Sequence, residues 1–193
     1  MNINLYVNYY DEKNSKRRKE IDICVGHNLN NPLINVVLFE SQKRLKFSDY
    51  FRFISLYTSD KDVNIIANLD IYFDETIKLC SKMMTANDFY ALSRWDVNSK
   101  GENARHWNRA ESQDAWIFRG KPKSINADFC LGLRGSDNKI AYEAKEAGYC
   151  VTNPSSSIKC YHMHSSRIRN YSLRSQHDKV PPPYLTVNPT KLK

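Results

Sequence analysis

The sequence predicts an α/β fold, a mostly parallel sheet flanked by helices, and three observations carry that expectation. Segments 2–7, 33–39 and 63–68 alternate polar and apolar residues or run almost wholly apolar, as strands do. Between them lie two segments whose apolar residues fall at helical spacing. The order strand, helix, strand, helix, strand is the one that a parallel sheet covered by helices produces. The 193 residues, 41% hydrophobic and 26% charged, match ordinary globular usage and so exclude a disordered, collagen-like or coiled-coil chain.

Asn2 to Val7 alternates and reads as the first strand. From Lys16, the residues Ile21, Cys24, Val25 and Leu29 share one helical face, which Gly26 weakens and Asn30-Asn31-Pro32 ends. Leu33 to Phe39 follows as a nearly continuous apolar strand of the kind buried on both faces. Ser48 is placed to cap a second helix carrying Tyr50, Phe53, Ile54 and Tyr57 on one side. Val63 to Asn68 is a third buried strand, running into an acidic turn, and Glu75 to Cys80 reads as a helix. Further on, 89–95, 115–118, 149–152 and 158–162 read as strands. A short helix spans Ser136 to Ala147, with Ile140, Ala141 and Ala144 inward and Gly148 as its stop. One domain is expected over 1–179. The proline-rich segment 180–193 is expected to be an extended tail that either wraps this domain or links it to further domains beyond the C-terminus.

The formal net charge of +8 suits an anionic partner without choosing among nucleic acid, a phosphorylated small molecule and an acidic surface. Five scattered cysteines without a CxxC pair argue against a disulfide framework or a zinc ribbon and for reduced, mostly buried thiols. No apolar run is long enough for a transmembrane helix, and the first residues lack a basic segment followed by an apolar core. A cytoplasmic protein is expected.

Three constellations carry chemistry. Asn68-Leu69-Asp70-Ile71-Tyr72-Phe73-Asp74 places carboxylates at the carboxyl edge of a buried strand, where parallel sheets gather ligands. A hard cation such as Mg²⁺ or Mn²⁺ takes one or two such carboxylates together with phosphate oxygens. Asp74 is better read as the cap of the helix that follows, whereas Asp70 comes too early for that role. In 159–167, His162 and His164 alternate along a strand and so point to one face, a pattern that is either structural or ligating. Cys160 lacks the spacing of a closed zinc site. Gly132 to Asn138 opens the short helix, and Asp137 at its N-terminus is either a cap or, kept ionised by the helix dipole, a general base.

In combination, the stretches IIANLDIYFD, ALSRWD, SQDAWIF, INADF, GSDNKIAYE and YHMHSS resemble the GT-A nucleotide-sugar glycosyltransferases, through a small group found in bacteria and large DNA viruses. With the strand–helix–strand opening, the resemblance covers nearly the whole chain. It implies the GT-A fold, with a Rossmann-like first half. It further implies transfer of a sugar from a nucleoside-diphosphate donor, a UDP-sugar above all, to a hydroxyl of a glycan or glycoconjugate. Asn68-Leu69-Asp70 matches the DxD motif, with Asp70 as the ligand of Mn²⁺ or Mg²⁺ and Asn in place of the first Asp. His162 or His164 matches the late histidine that completes the metal shell, and Asp137 matches the base of inverting members. Tyr6, Tyr9, Arg17, Glu40, Asn68 and Leu69 are implied nucleotide contacts. Arg94, Trp95, Asp96, Asp114, Trp116 and Asn138 are implied around the sugar and acceptor, and Ser165 and Arg167 beside phosphate. For the basic run from Lys16 to Lys19, a solvated face is the competing reading. The rival functions are a nucleic-acid-binding module, against which no RNA-binding signature and an acidic turn speak, and a metal-dependent nucleotidyltransferase. A glycosidase has nothing in its favour.

Overall fold

The computed structural model describes residues 1–166, 168 and 178–192. A six-stranded sheet is built from β1 (Ile3–Tyr9), β2 (Asn35–Glu40), β3 (Val63–Ala67), β5 (Asp88–Leu92), β8 (Ala115–Arg119) and β9 (Cys150–Thr152), in the order β2-β1-β3-β8-β5-β9. β8 is antiparallel to both its neighbours and the other five strands run one way, so the sheet is mostly parallel. Alternation along each strand divides the core. Leu5, Val7, Ile65 and Ile117 pack with Ile21 and Val25 of α1 (Ser15–Leu29) and Cys80 of α3 (Lys78–Met83) on one face. Tyr6, Ile66, Trp116 and Phe118 pack on the other face with Phe47, Phe51 and Ile54 of α2 (Phe47–Tyr57) and Ile140, Ala141 and Ala144 of α4 (Ser136–Glu146). Helices therefore cover both faces.

A second sheet, β4-β10-β6-β7, joins β4 (Ile71–Phe73), β10 (Cys160–Met163), β6 (Trp95–Val97) and β7 (Arg105–His106). Its register sets His162 opposite Asp96 on one side and opposite Ile71, next to Asp70, on the other. Helix α1 fixes this sheet to the large one. Asn28 donates to the Ile71 carbonyl at 2.8 Å and accepts from the Phe73 N–H at 3.2 Å, satisfying both ends of β4.

Several expectations change. Segment 33–39 is not buried on both faces: β2 is the edge strand, half covered. α2 starts before Ser48, with the Lys46 N–H bonded to Asp49, and buries Phe47 and Phe51 while Tyr57 is exposed. The stretch 89–95 divides between two sheets at Ser93 and Arg94, and the expected acidic turn after 68 closes at once into β4. Asp74 is a cap, accepting from the Thr76 N–H at 2.9 Å. The tail wraps: Leu185 bonds the carbonyl of Asn138, Val187 that of Ala110, and Thr190 that of Asn153. No helix among the described residues is long and apolar enough to cross a membrane.

Candidate functional site

A cavity of about 1050 Å³ opens at the carboxyl ends of the parallel strands. Tyr10 reaches it from the end of β1, Asn68, Leu69 and Asp70 from the end of β3, and Arg94 from beyond β5. Because β8 runs backwards, its preceding residues Gln113 and Asp114 lie at this same edge. The start of α4 contributes Asp137 and Asn138; β10 delivers His162, and His164 follows directly after its end.

Asp70, His162 and His164 form one cluster, with a possible ligand atom of each within 4.8 Å of the others. His162 Nε2 lies 3.0 Å and His164 Nδ1 3.7 Å from Asp70 Oδ2. These separations suit neighbouring ligands of one ion with bonds of about 2.1 Å. The far nitrogens are held as a ligating histidine requires: His162 Nδ1 is 2.8 Å from Asp96 Oδ1, and His164 Nε2 is 2.7 Å from the Ile168 carbonyl. With an ion bound, a proton on each of these held nitrogens would leave the near nitrogen's lone pair toward the ion. The residues thus fit a divalent ion.

Burial works against charge on Asp70, yet His162 and Arg17 together hold its carboxyl far below the usual range. Burial would lower His162, but Asp70 and then Asp96 push it up to about 9. Burial and the Arg17 charge lower His164. Beyond Asp96 the chain of charges continues: Arg94 Nε bonds Asp96 at 2.8 Å, and Arg94 Nη1 bonds Asp114 at 2.9 Å. Asn68 donates to Asp114 at 3.0 Å instead of facing the Asp–His–His cluster.

Asp137 sits in the first turn of α4 without capping it; the cap position belongs to Gly135, and no side chain bonds there. Its carboxylate accepts the Asn138 N–H at 3.0 Å. Burial and, more weakly, the Asp114 charge raise its pKa to about 6 against these N–H bonds. Among the described residues, Trp116 Nε1, Gln113 Oε1 and Asn138 Oδ1 are buried in this wall without partners. Unpaired buried polar atoms are uncommon and call for a water or a ligand.

Other expected contacts stand elsewhere. Tyr6 is buried, its hydroxyl committed to Thr58 and Asn64, so it does not flank a ligand in the cavity. Tyr9 bonds Asp22 and takes a bond from Arg18, and it lies outside the cavity wall, as does the exposed Glu40. Trp95 stacks on His106 at 4.7 Å and donates to the Ser155 carbonyl, also away from the wall. Asp96 supports His162 rather than lining the cavity. Ser165 donates to Glu20, and Arg167 lies outside the described residues. Arg17 is buried in the site, so the basic run is not simply a solvated face. Sequence reasoning missed Trp107, whose ring lies under the guanidinium groups of Arg94 and Arg109 at 5.0 and 4.9 Å, and Tyr184 from the tail. Neither carries a local signal, because loops of low regularity bring both to the wall. No protein-family model matches the chain, and no curated protein matches it either.

Proposed function

We propose that this chain is a GT-A-type glycosyltransferase that moves a sugar from a nucleoside-diphosphate donor, a UDP-sugar above all, to a glycan hydroxyl with inversion. One observation carries the reading: an Asp–His–His donor cluster and a carboxylate poised near pH 6 share one large cavity at the carboxyl edge of the sheet. Asp70, His162 and His164 would hold Mn²⁺ or Mg²⁺, and two imidazoles favour Mn²⁺. The bound ion supplies Lewis-acid compensation of the charge that grows on the departing diphosphate. Arg17, beside Asp70, adds a fixed positive charge on the same side. Asp137 takes the proton of the acceptor hydroxyl as its oxygen attacks the anomeric carbon. The bond from that carbon to the diphosphate oxygen breaks, and the diphosphate leaves with the electron pair.

Thermal unfolding with UDP and Mn²⁺ tests the donor side. Ligand at 100 times its dissociation constant stabilises the native state by about 2.7 kcal/mol. The parent is expected to gain stability from the pair together. Asp70→Asn, which keeps the size of the side chain, is expected to remain folded and gain almost nothing. Equal stabilisation of both proteins would remove Asp70 from the ion site.

A further inference from the structure

The carboxylate of the Asp–His–His cluster already carries a partner. Arg17 Nη2 bonds Asp70 Oδ2 at 2.5 Å, on the same oxygen that faces both imidazoles. Arg17 is buried, and its guanidinium is anchored from behind. Nη1 donates to Glu20 Oε2 at 3.1 Å and to the Met163 carbonyl at 3.3 Å. Glu20 is itself fixed, accepting from the Ser165 hydroxyl and from the N–H and hydroxyl of Ser166. The arrangement begins in helix α1, where Asn14 caps the first turn and the i, i+3 spacing puts Arg17 and Glu20 side by side.

A divalent ion arriving alone must therefore share its only carboxylate in the cluster with a buried positive charge. Like charges in a dry site repel strongly, and the ion carries two. A diphosphate reverses the sign of this effect. Its oxygens attract both cations and give Nη2 a new acceptor in place of Asp70. We infer that the site takes its divalent ion as a complex with a diphosphate and discriminates against the free ion, and that Arg17 sets this discrimination. The inference rests on the donor reading above. It goes further by assigning Arg17 a role in how the ion is loaded, beyond the charge it offers the diphosphate.

Titration of the full chain with Mn²⁺, following free ion by electron paramagnetic resonance with and without UDP, tests it. In the parent, UDP is expected to tighten Mn²⁺ by about tenfold or more, and by linkage Mn²⁺ tightens UDP by the same factor. Arg17→Gln is expected to bind Mn²⁺ alone about tenfold more tightly, while the UDP coupling shrinks toward unity. Glu20→Gln is expected to act in the opposite direction, weakening Mn²⁺ alone, because the positive charge of Arg17 is then less compensated. Circular dichroism checks that each variant is folded. Should Arg17→Gln fail to fold, Glu20→Gln decides alone, and unchanged or tighter Mn²⁺ binding there overturns the inference. Unchanged or weaker Mn²⁺ binding by folded Arg17→Gln, or no UDP coupling in the parent, also overturns it while leaving the ion site standing. A parent that binds no Mn²⁺ under either condition defeats the donor reading, and the inference with it.

Discussion

Burial first, and the Asp114 charge more weakly, raise the Asp137 pKa to about 6 against the backbone N–H bonds it accepts. Two consequences of opposite benefit follow. A general base must be ionised, so kcat/KM is expected to climb with pH through about 6 and level off above it. The folded chain meanwhile holds the proton more tightly than the unfolded chain does, whose Asp titrates near 4. Stability therefore falls as pH rises from about 4 to about 6 and stays lower above that window. Asp137→Asn removes the cost of the buried charge and the proposed base together. Its turnover is expected to drop by about 10² to 10⁴ with donor affinity kept. Its fold at pH 7 is expected to gain about 1 to 3 kcal/mol. Transfer assays and urea unfolding at pH 7 check both. Turnover near that of the parent would place the base elsewhere, with Asp114 the neighbouring carboxylate. Much of this residue was legible: glycines and a helix start announce a carboxylate at an N-terminus. Its shift was not, because the burial that raises it and the Asp114 carboxylate, just before β8, come from other parts of the chain.

The elements of the large sheet were legible because each declares itself over a few residues. Continuous apolar strands and one apolar helix face need no distant partner to be recognised. The small sheet was not legible for the converse reason. β4 has three residues and β7 two; β4 pairs with β10 from far along the chain, and β7 joins only through β6. That register, rather than the His-x-His alternation alone, is what brings His162 between Asp70 and Asp96. The start of α4 is the other element on which the site depends. Gly135 precedes it at φ +82°, and a Cβ there would lie 2.8 to 3.2 Å from the Tyr184 ring and hydroxyl. Gly135→Ala therefore meets backbone strain and a clash at once, and is expected to cost about 1 to 3 kcal/mol. Because α4 carries Asp137 and not the ion cluster, transfer is expected to fall while Mn²⁺ binding with UDP survives. Trimming the ring with Tyr184→Ala in the same chain should restore part of the loss, which chemical unfolding of the double variant measures. No restoration would mean that the backbone conformation alone accounts for the cost.

At the scale of the whole molecule, helices on both faces leave the carboxyl edge of the strands as the open side. The one reversed strand, β8, contributes to that edge from its own beginning, which is why Asp114 meets Arg94 and Asn68 there. The tail was legible only as extended chain; its course past α4 and β9 follows from backbone hydrogen bonds that no composition reveals. The formal charge of +8 fits an anionic donor. The most direct test of the proposed activity is product analysis of the full chain incubated with nucleoside-diphosphate sugars, UDP-sugars first, and Mn²⁺. The expected result is release of the nucleoside diphosphate with the sugar transferred to an acceptor or to water, abolished by EDTA and by Asp70→Asn. No diphosphate from any donor, release of pyrophosphate instead, or a rate indifferent to EDTA would contradict it.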